Sequence, residues 1–224
     1  MVGRSEDVRR VLKLAREEAA RLGHRYLGPE HLLLGMLRAD GGGADRILGA
    51  HGVDLEVARA ALGHLAERGV VPRPRPSDAE LLGTLGIDLG ALRRDTEQAF
   101  GLKALGRAIR EATRARRGGV GRVARTPLQD PPLLAVQALM LARRRAEALG
   151  QSEVSSELLL LGVLDDLTTR PPRCMSNRWV RRLHASVGLA EDYRGAAGPL
   201  LATLGVDPDR LHAAVLAALG ETVS

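Results

Sequence analysis

Two glutamates, Glu30 and Glu157, are the residues whose type and position in this chain best suit contact with a charged or polar group. Each begins a strongly apolar segment, so we predict that each lies in the first turn of a buried helix. A carboxylate in that position is stabilised by the helix dipole and by unpaired backbone N–H groups, by about 0.3–1 kcal/mol. The sequence therefore predicts at least a helix-capping role for both residues.

The other reactive side chains form no recognisable active site in the sequence. His24 and His31 lie seven residues apart without a third metal ligand at a useful spacing, so we expect them to cap a helix or to bond backbone in a tight turn. Cys174 is the only cysteine and has no histidine near it in sequence, which excludes an internal disulfide and a zinc site of paired cysteines. Hydrolase and metalloprotease motifs are absent. We predict no enzyme, no metal and no cofactor.

The chain contains an internal duplication. Residues 22–37 align without a gap to residues 149–164, and the same offset continues through the segments before them. A second pattern of leucines, a glycine and an aspartate occurs near residues 47–54, 81–88 and 200–207. We name the first pattern the head and the second the tail; the order is head, tail, extra tail, arginine-rich stretch, head, insertion, tail.

Both patterns predict helices. Apolar residues recur every three or four positions after Ser5, Gly23 is placed to end that helix, and Pro29 suits the first position of the next. Asp54, Asp88 and Asp207 are placed to cap tail helices. No strand-like alternation of useful length is present. The predicted fold is all-α.

The head at 22–35, which reads Leu-Gly-His-Arg-Tyr-Leu-Gly-Pro-Glu-His-Leu-Leu-Leu-Gly, resembles the repeat of the Clp N-terminal domain found at the front of Clp/Hsp100 protein unfoldases. The resemblance covers 5–65 well, and 131–167 with 196–220 more loosely. It implies two pseudo-symmetric four-helix repeats in one bundle. The segments outside the resemblance add extra helices between and within the repeats. We divide the chain into a first repeat at 1–68, an extra helical hairpin and arginine-rich connector at 69–130, and a second repeat at 131–224 with an insertion at 168–195.

The resemblance also implies a function. Such domains receive substrates and adaptor proteins, and some bind phosphorylated arginine with a glutamate at the position of Glu30. The usual threonine before that glutamate is Pro29 here, and the histidine after Glu157 is replaced by Leu158. On this basis the candidate ligand- or peptide-binding residues are Glu30, His31, Ser156 and Glu157. A phosphate-binding loop of an ATPase needs a lysine that this sequence does not offer, because its only lysines are Lys13 and Lys103.

The formal net charge of +6 permits an acidic partner without requiring one. The strongest basic segment lies at 107–125, where one helix face would carry Arg107, Arg110, Arg114 and Arg117. That segment could be a solvated linker, a docking face for an acidic protein, or a contact with nucleic-acid phosphates. Four aromatic residues are too few for base-stacking platforms. No signal peptide or membrane-spanning stretch is evident, so we predict a cytoplasmic protein.

The sequence therefore predicts a non-enzymatic protein- or peptide-binding module that resembles the N-terminal domain of Clp unfoldases. It would serve as an adaptor, a regulator or a decoy of the Clp protease system. Its partners would be Clp components, adaptors, tagged substrates or peptide ligands. The alternative is a nucleic-acid-binding regulator that uses the basic 107–125 segment.

Overall fold

The computed structural model describes residues 2–72, 134–169, 184, 189–190 and 193–220. The chain divides into two compact units, one formed by residues 1–74 and 131–224 and the other by residues 75–130. Both heads and their adjoining tails lie in the first unit. Asp88, Arg107, Arg110, Arg114, Arg117, Cys174 and Trp179 lie outside the described residues.

Eight helices and two short strands make up the described part of the first unit. The first repeat contains β1 (Gly3–Arg4), α1 (Glu6–Arg21), α2 (Pro29–Arg38), α3 (Gly43–Ala50) and α4 (Leu55–Glu67). The second contains α5 (Val136–Ala148), β2 (Glu153–Val154), α6 (Ser156–Thr168), α7 (Ala197–Thr203) and α8 (Pro208–Ala218). The all-α prediction is confirmed, and no described helix is both long and apolar enough to cross a lipid bilayer.

The predicted helix boundaries follow from local chemistry. Ser5 caps α1 by accepting a hydrogen bond from the Val8 N–H, and Asp54 and Asp207 cap α4 and α8 in the same way. Gly23 has a φ of 68° just after α1, where an L side chain would be strained. Pro29 is the first residue of α2. These predictions from the sequence are confirmed.

The centre of the fold is formed by α2 and α6, the two helices that the heads predict. All of α2 except its last residue is buried, and α6 buries a continuous run from Leu158 to Leu164. A helix that is apolar around most of its circumference must be covered on all sides. Accordingly α1 packs on α2 and α5 packs on α6, while the tail helices close the bundle.

Each pair of head helices crosses at a glycine. A Cβ on Gly35 would lie 2.6 Å from the Val11 carbonyl oxygen and 2.9 Å from the Ala15 Cβ. A Cβ on Gly162, its counterpart in the second repeat, would meet the Ala138 carbonyl oxygen and would lie 2.9 Å from the Ala142 Cβ. The same close contact between helix backbones therefore occurs in both repeats.

The two repeats are joined by backbone hydrogen bonds at their edges. β1 pairs in parallel with β2, and the Gly3 N–H donates to the Ser152 carbonyl over 2.8 Å. On the other side of the unit, the Leu134 N–H donates to the Leu27 carbonyl over 2.8 Å. In both cases the segment before the first helix of one repeat bonds to the loop before the second helix of the other. The arrangement is that of a pseudo-two-fold pair.

A buried carboxylate ties three helices of the first repeat together. Glu18 on α1 is 1% exposed and accepts hydrogen bonds from Arg59 on α4, one of them 3.0 Å long from Nε to Oε2. Arg38 on α2 lies 3.3 Å from the same carboxylate. We name Glu18, Arg38 and Arg59 the first ionic triad.

The second repeat has the same triad with its charges exchanged between helices. The sequence offset of the heads places Arg145 where Glu18 stands and Asp165 where Arg38 stands, and His212 takes the place of Arg59. Arg145 donates to Asp165 over 3.1 Å, and His212 Nε2 lies 2.9 Å from the other oxygen of Asp165. The geometry of helices one, two and four is thus preserved while the acid moves from the first helix to the second.

Candidate functional site

Glu30 is completely buried, and its carboxylate, on the first repeat, contacts residues of the second. Its Oε2 accepts a 2.9 Å hydrogen bond from the Ala196 N–H, and its Oε1 accepts a 3.4 Å hydrogen bond from the Tyr193 hydroxyl. Ala196 is the N-cap residue of α7 and offers no side-chain cap of its own. Glu30 therefore supplies the missing cap of a helix in the other repeat, while its own helix dipole also stabilises the negative charge.

Glycines make room for this carboxylate. A Cβ on Gly28 would lie 2.5 Å from both oxygens of Glu30. Gly195 has a φ of 98°, and a Cβ there would lie 2.5 Å from Pro29 and 2.9 Å from Glu30 Oε2. Side chains at these positions would exclude the carboxylate, so the backbone on both sides of the seam between the repeats is shaped around it.

Glu157 makes the reciprocal contact. Its carboxylate occupies the space that a Cβ on Gly43 would fill, at the first residue of α3 in the first repeat. Ser156, which is 1% exposed, accepts a 3.4 Å hydrogen bond from the Ala44 N–H and donates to Glu157. In the tail alignment Gly43 corresponds to Ala196, so each head glutamate reaches the start of the third helix of the opposite repeat.

The two glutamates nevertheless differ in accessibility. Glu30 and His31 are both 0% exposed, whereas Glu157 is half-buried. A ligand could reach Glu30 only after Tyr193 and Ala196 had moved away from it. The ligand-binding role that the sequence assigns to these residues and to Ser156 stays a prediction. In the fold, Glu30 and Ser156 each accept a hydrogen bond from backbone at the start of the opposite repeat's third helix, and Glu157 packs against Gly43.

Beside Glu30 lies a buried cluster of His24, Tyr26, His31 and Tyr193. The Gly28 N–H donates to His31 Nδ1 over 2.9 Å, so the neutral ring carries its proton on Nε2 and donates it to His24 Nδ1 over 2.8 Å. This confirms for His31 the expectation of a backbone bond at a helix start, whereas His24 bonds the ring of His31. Tyr26 donates to Tyr193 over 2.9 Å, which leaves Tyr193 to donate to Glu30.

Burial controls the ionisation of this cluster. It lowers the pKa of His31 to about 3, and burial together with the neighbouring His31 lowers the pKa of His24 to about 4. Burial, and next the negative charge of Glu30, raise the pKa of Tyr26 and of Tyr193. The cluster is therefore neutral around pH 7. Among the described residues, no group of three or more histidine, cysteine, aspartate or glutamate side chains could hold a metal ion.

The depressed histidine pKa values predict an acid-sensitive fold. The unfolded histidines take up protons below about pH 6.5, while the folded ones resist protonation until about pH 4 and pH 3. The free energy of unfolding should therefore fall as the pH falls from 6.5 to 4. Over this range the two histidines bind more protons in the unfolded state than in the folded state, and the difference approaches about two protons. Urea unfolding measured at several pH values tests this expectation.

The matched variant is His31→Gln, because a glutamine can accept from the Gly28 N–H and donate to His24. In this variant the excess uptake should approach about one proton. An unchanged pH dependence would show that His31 is not held neutral in the fold.

The cross-repeat contacts of the two glutamates predict a graded loss of stability. Glu30→Gln removes a fully buried charge that accepts two hydrogen bonds and should lower the free energy of unfolding by about 1–2 kcal/mol. Glu157→Gln should cost about 0.5–1 kcal/mol, because this carboxylate is half-buried. Glu6→Gln, in the exposed first turn of α1, serves as the control and should cost about 0.3 kcal/mol. Chemical denaturation gives the ranking, and equal losses for Glu30 and Glu6 would contradict the cross-repeat cap.

A polar groove of about 500 Å³ lies where the repeats meet at the β1–β2 pair. It is lined by one residue of the first repeat and five of the second: Ser5, Gly150, Gln151, Ser152, Glu153 and Ser155. All six are at least partly exposed. The predicted site residues do not line it, although Ser156 and Glu157 follow its last residue directly in sequence. No sequence signal marks this groove, because its residues are ordinary loop residues brought to Ser5 by strand pairing.

Comparisons with known proteins agree with the resemblance seen in the sequence. Residues 4–81 match the model of the Clp repeat (R) N-terminal domain. The chain is 44% identical over 61 residues to a probable ATP-dependent Clp protease ATP-binding subunit of Chlamydia pneumoniae, which is 27% of this chain and 7% of that protein. It is 56% identical over 46 residues to the chloroplastic chaperone protein ClpC1 of Oryza sativa subsp. japonica, which is 20% of this chain and 5% of that protein. The chain thus spans a small part of the length of these relatives.

The fold is also that of a solved domain. The crystal structure of the N-terminal domain of the Clp protease-associated chaperone ClpD from Arabidopsis thaliana superposes with a TM-score of 0.52 at 16% sequence identity. The match covers 97% of this chain and 94% of that one. The resemblance to the Clp N-terminal domain is confirmed by the family match at 4–81 and by this all-α fold.

Proposed function

We propose that this chain, whose residues 4–81 match the Clp repeat N-terminal domain, binds proteins or peptides of the Clp system without catalysing a reaction. It acts in the cytoplasm as an adaptor, a regulator or a decoy for substrates and adaptors. The observation that supports this proposal is the polar groove at the seam, because Ser5 of one repeat and residues 150–155 of the other form it together.

The dimensions and chemistry of the groove suit a polypeptide. A volume of about 500 Å³ falls within the range of about 300–1,000 Å³ typical of ligand sites. Three serines, a glutamine and exposed backbone offer hydrogen-bond donors and acceptors without a hydrophobic floor. A polypeptide main chain carries a donor and an acceptor at nearly every residue, so such a lining can hold many sequences.

Glu157 gives the proposed site a negative charge beside the groove. It is half-buried against Gly43, and it follows Ser155, a groove residue, by two positions. A basic or guanidinium-bearing side chain of a bound peptide would find this carboxylate and that of Glu153 within the same region. Glu30 and His31 would take part only after the segment that carries Tyr193 and Ala196 had opened.

Affinity capture from a lysate of the source organism tests the proposal. The baits are the unaltered chain, Ser152→Trp and Val57→Trp. Ser152→Trp fills the groove from an exposed position, and Val57→Trp adds the same bulk on α4, at a residue that is 56% exposed. We expect Clp subunits, their adaptors or their substrates to be recovered with the unaltered chain and with Val57→Trp but not with Ser152→Trp. Recovery of no Clp component or substrate, or equal recovery by all three baits, would count against the groove.

A further inference from the structure

We propose that β2 accepts an extended peptide as a third strand, paired with the backbone of Glu153, and that the peptide carries a basic side chain opposite the Glu153 carboxylate. This inference rests on the proposed function and specifies its mode of recognition. It follows from two observations. The outer edge of β2 is open whereas that of β1 is covered, and Glu153 of β2 also lines the polar groove.

On the edge of β2 that faces away from β1, the residues that the structure describes provide no pairing strand. Gly3 and Ser5 donate their N–H groups to the carbonyls of Ser152 and Val154 over 2.8 and 3.1 Å. In a parallel ladder alternate residues of a strand face the same neighbour, so the N–H and C=O of Glu153 point to the opposite side. In the described ranges these two groups have no hydrogen-bond partner.

The corresponding edge of β1 is covered. The carbonyl of Arg4 faces away from β2 and accepts a 2.9 Å hydrogen bond from the Arg9 guanidinium of α1. A charged side chain across a strand edge prevents another strand from pairing there. Of the two edges, only that of β2 therefore offers both a donor and an acceptor to an incoming peptide.

Glu153, whose N–H and C=O form the open edge, is also one of the residues that line the polar groove. A peptide that adds to a sheet edge gains affinity from main-chain hydrogen bonds and specificity from the side chains beside them. The Glu153 side chain lies over Gly3, with its Oε1 3.6 Å from the position of a Cβ on that glycine. It is exposed, so a lysine or arginine on the same face of an added strand would pair with it.

Amide hydrogen exchange of Glu153 tests this pairing directly. The probe is reduced, carboxamidomethylated ribonuclease A, a permanently unfolded basic polypeptide. We expect the Glu153 amide of the free chain to exchange rapidly and to slow by about tenfold or more when the probe is bound, while the Arg4 amide is unaffected. A Glu153 amide that is already protected in the free chain would overturn the proposal, because the edge would then be closed.

Two variants distinguish the contribution of the Glu153 backbone to probe binding from that of its side chain. Glu153→Pro removes the N–H at an edge position where proline is tolerated and should weaken probe binding about fivefold or more. Glu153→Gln keeps the N–H and should weaken binding less, with the loss confined to low salt. The helical circular dichroism and its melting midpoint verify that both variants fold.

The outcomes distinguish this inference from the function on which it rests. Binding of the probe that is equal for Glu153→Pro and the unaltered chain, without protection of the Glu153 amide, overturns strand addition but leaves peptide binding in place. Failure of the unaltered chain to bind the probe at any concentration contradicts strand addition and the proposed function together.

Discussion

Gly35→Val is expected to lower the free energy of unfolding by at least about 3 kcal/mol, a large part of the stability of a typical domain. The Gly35 backbone on α2 touches α1 so closely that a Cβ would lie 2.6 Å from the Val11 carbonyl oxygen. That oxygen belongs to a helix backbone and cannot rotate aside, so the helices would have to separate across the core. Urea denaturation followed by circular dichroism measures the loss.

Gly63→Ala is the matched control for this prediction. Gly63 lies within α4, and a Cβ there would meet no heavy atom within 4 Å. Alanine has the higher helix propensity, so this variant should be more stable by about 0.5–1 kcal/mol. Gly162→Val should behave like Gly35→Val, because Gly162 makes the same backbone contact in the second repeat. A Gly35→Val variant as stable as the unaltered chain would show that the helices do not cross there.

Removal of the buried carboxylate by Glu18→Ala should cost about 3–5 kcal/mol. The substitution leaves the Arg59 guanidinium, whose side chain is 16% exposed, without its main acceptor. Burial acts to raise the pKa of Glu18, but the hydrogen bonds and charge of Arg59 outweigh it and the net pKa is lowered. A carboxylate with a lowered pKa contributes stability above its unfolded pKa of about 4.5, and this contribution is lost as the pH falls through the folded pKa.

The exchanged charges of the second repeat can be tested by reversing a charge and then restoring the pair with a second substitution. Arg145→Glu places a second acid beside Asp165 and should lower the free energy of unfolding by about 1–2 kcal/mol. Arg145→Glu with Asp165→Arg recreates the arrangement of the first ionic triad and should recover most of the loss. A double variant that is no more stable than the single one would mean that the two triads are not equivalent.

The helices could be predicted because their signals are local. Ser5, Asp54 and Pro29 each act on backbone groups within four residues, so the sequence alone indicates where α1, α4 and α2 begin. The apolar heads likewise predicted that α2 and α6 would be buried. The charge exchange between Glu18 and Arg145 is also readable from the offset of the heads.

The cross-repeat contacts could not be predicted in the same way. Glu30 accepts a hydrogen bond from the backbone N–H of Ala196, which is 166 positions away. Nearly every residue has a backbone N–H, so the residue type does not identify this partner. The groove is likewise made of loop backbone that only the β1–β2 pairing brings to Ser5. The glycines at 28, 43 and 195 were the available signal, because each stands where a side chain would displace a glutamate.

The central claim, that this chain receives polypeptides of the Clp system at the seam of its two repeats, is tested most directly with a reconstituted ATP-dependent Clp protease of the source organism. The measured quantity is the rate at which a fluorescently labelled unfolded substrate is degraded as the purified chain is added. We expect the rate to rise or fall saturably with the unaltered chain and with Val57→Trp, and to stay constant with Ser152→Trp. A rate that no concentration of the unaltered chain changes would contradict the account.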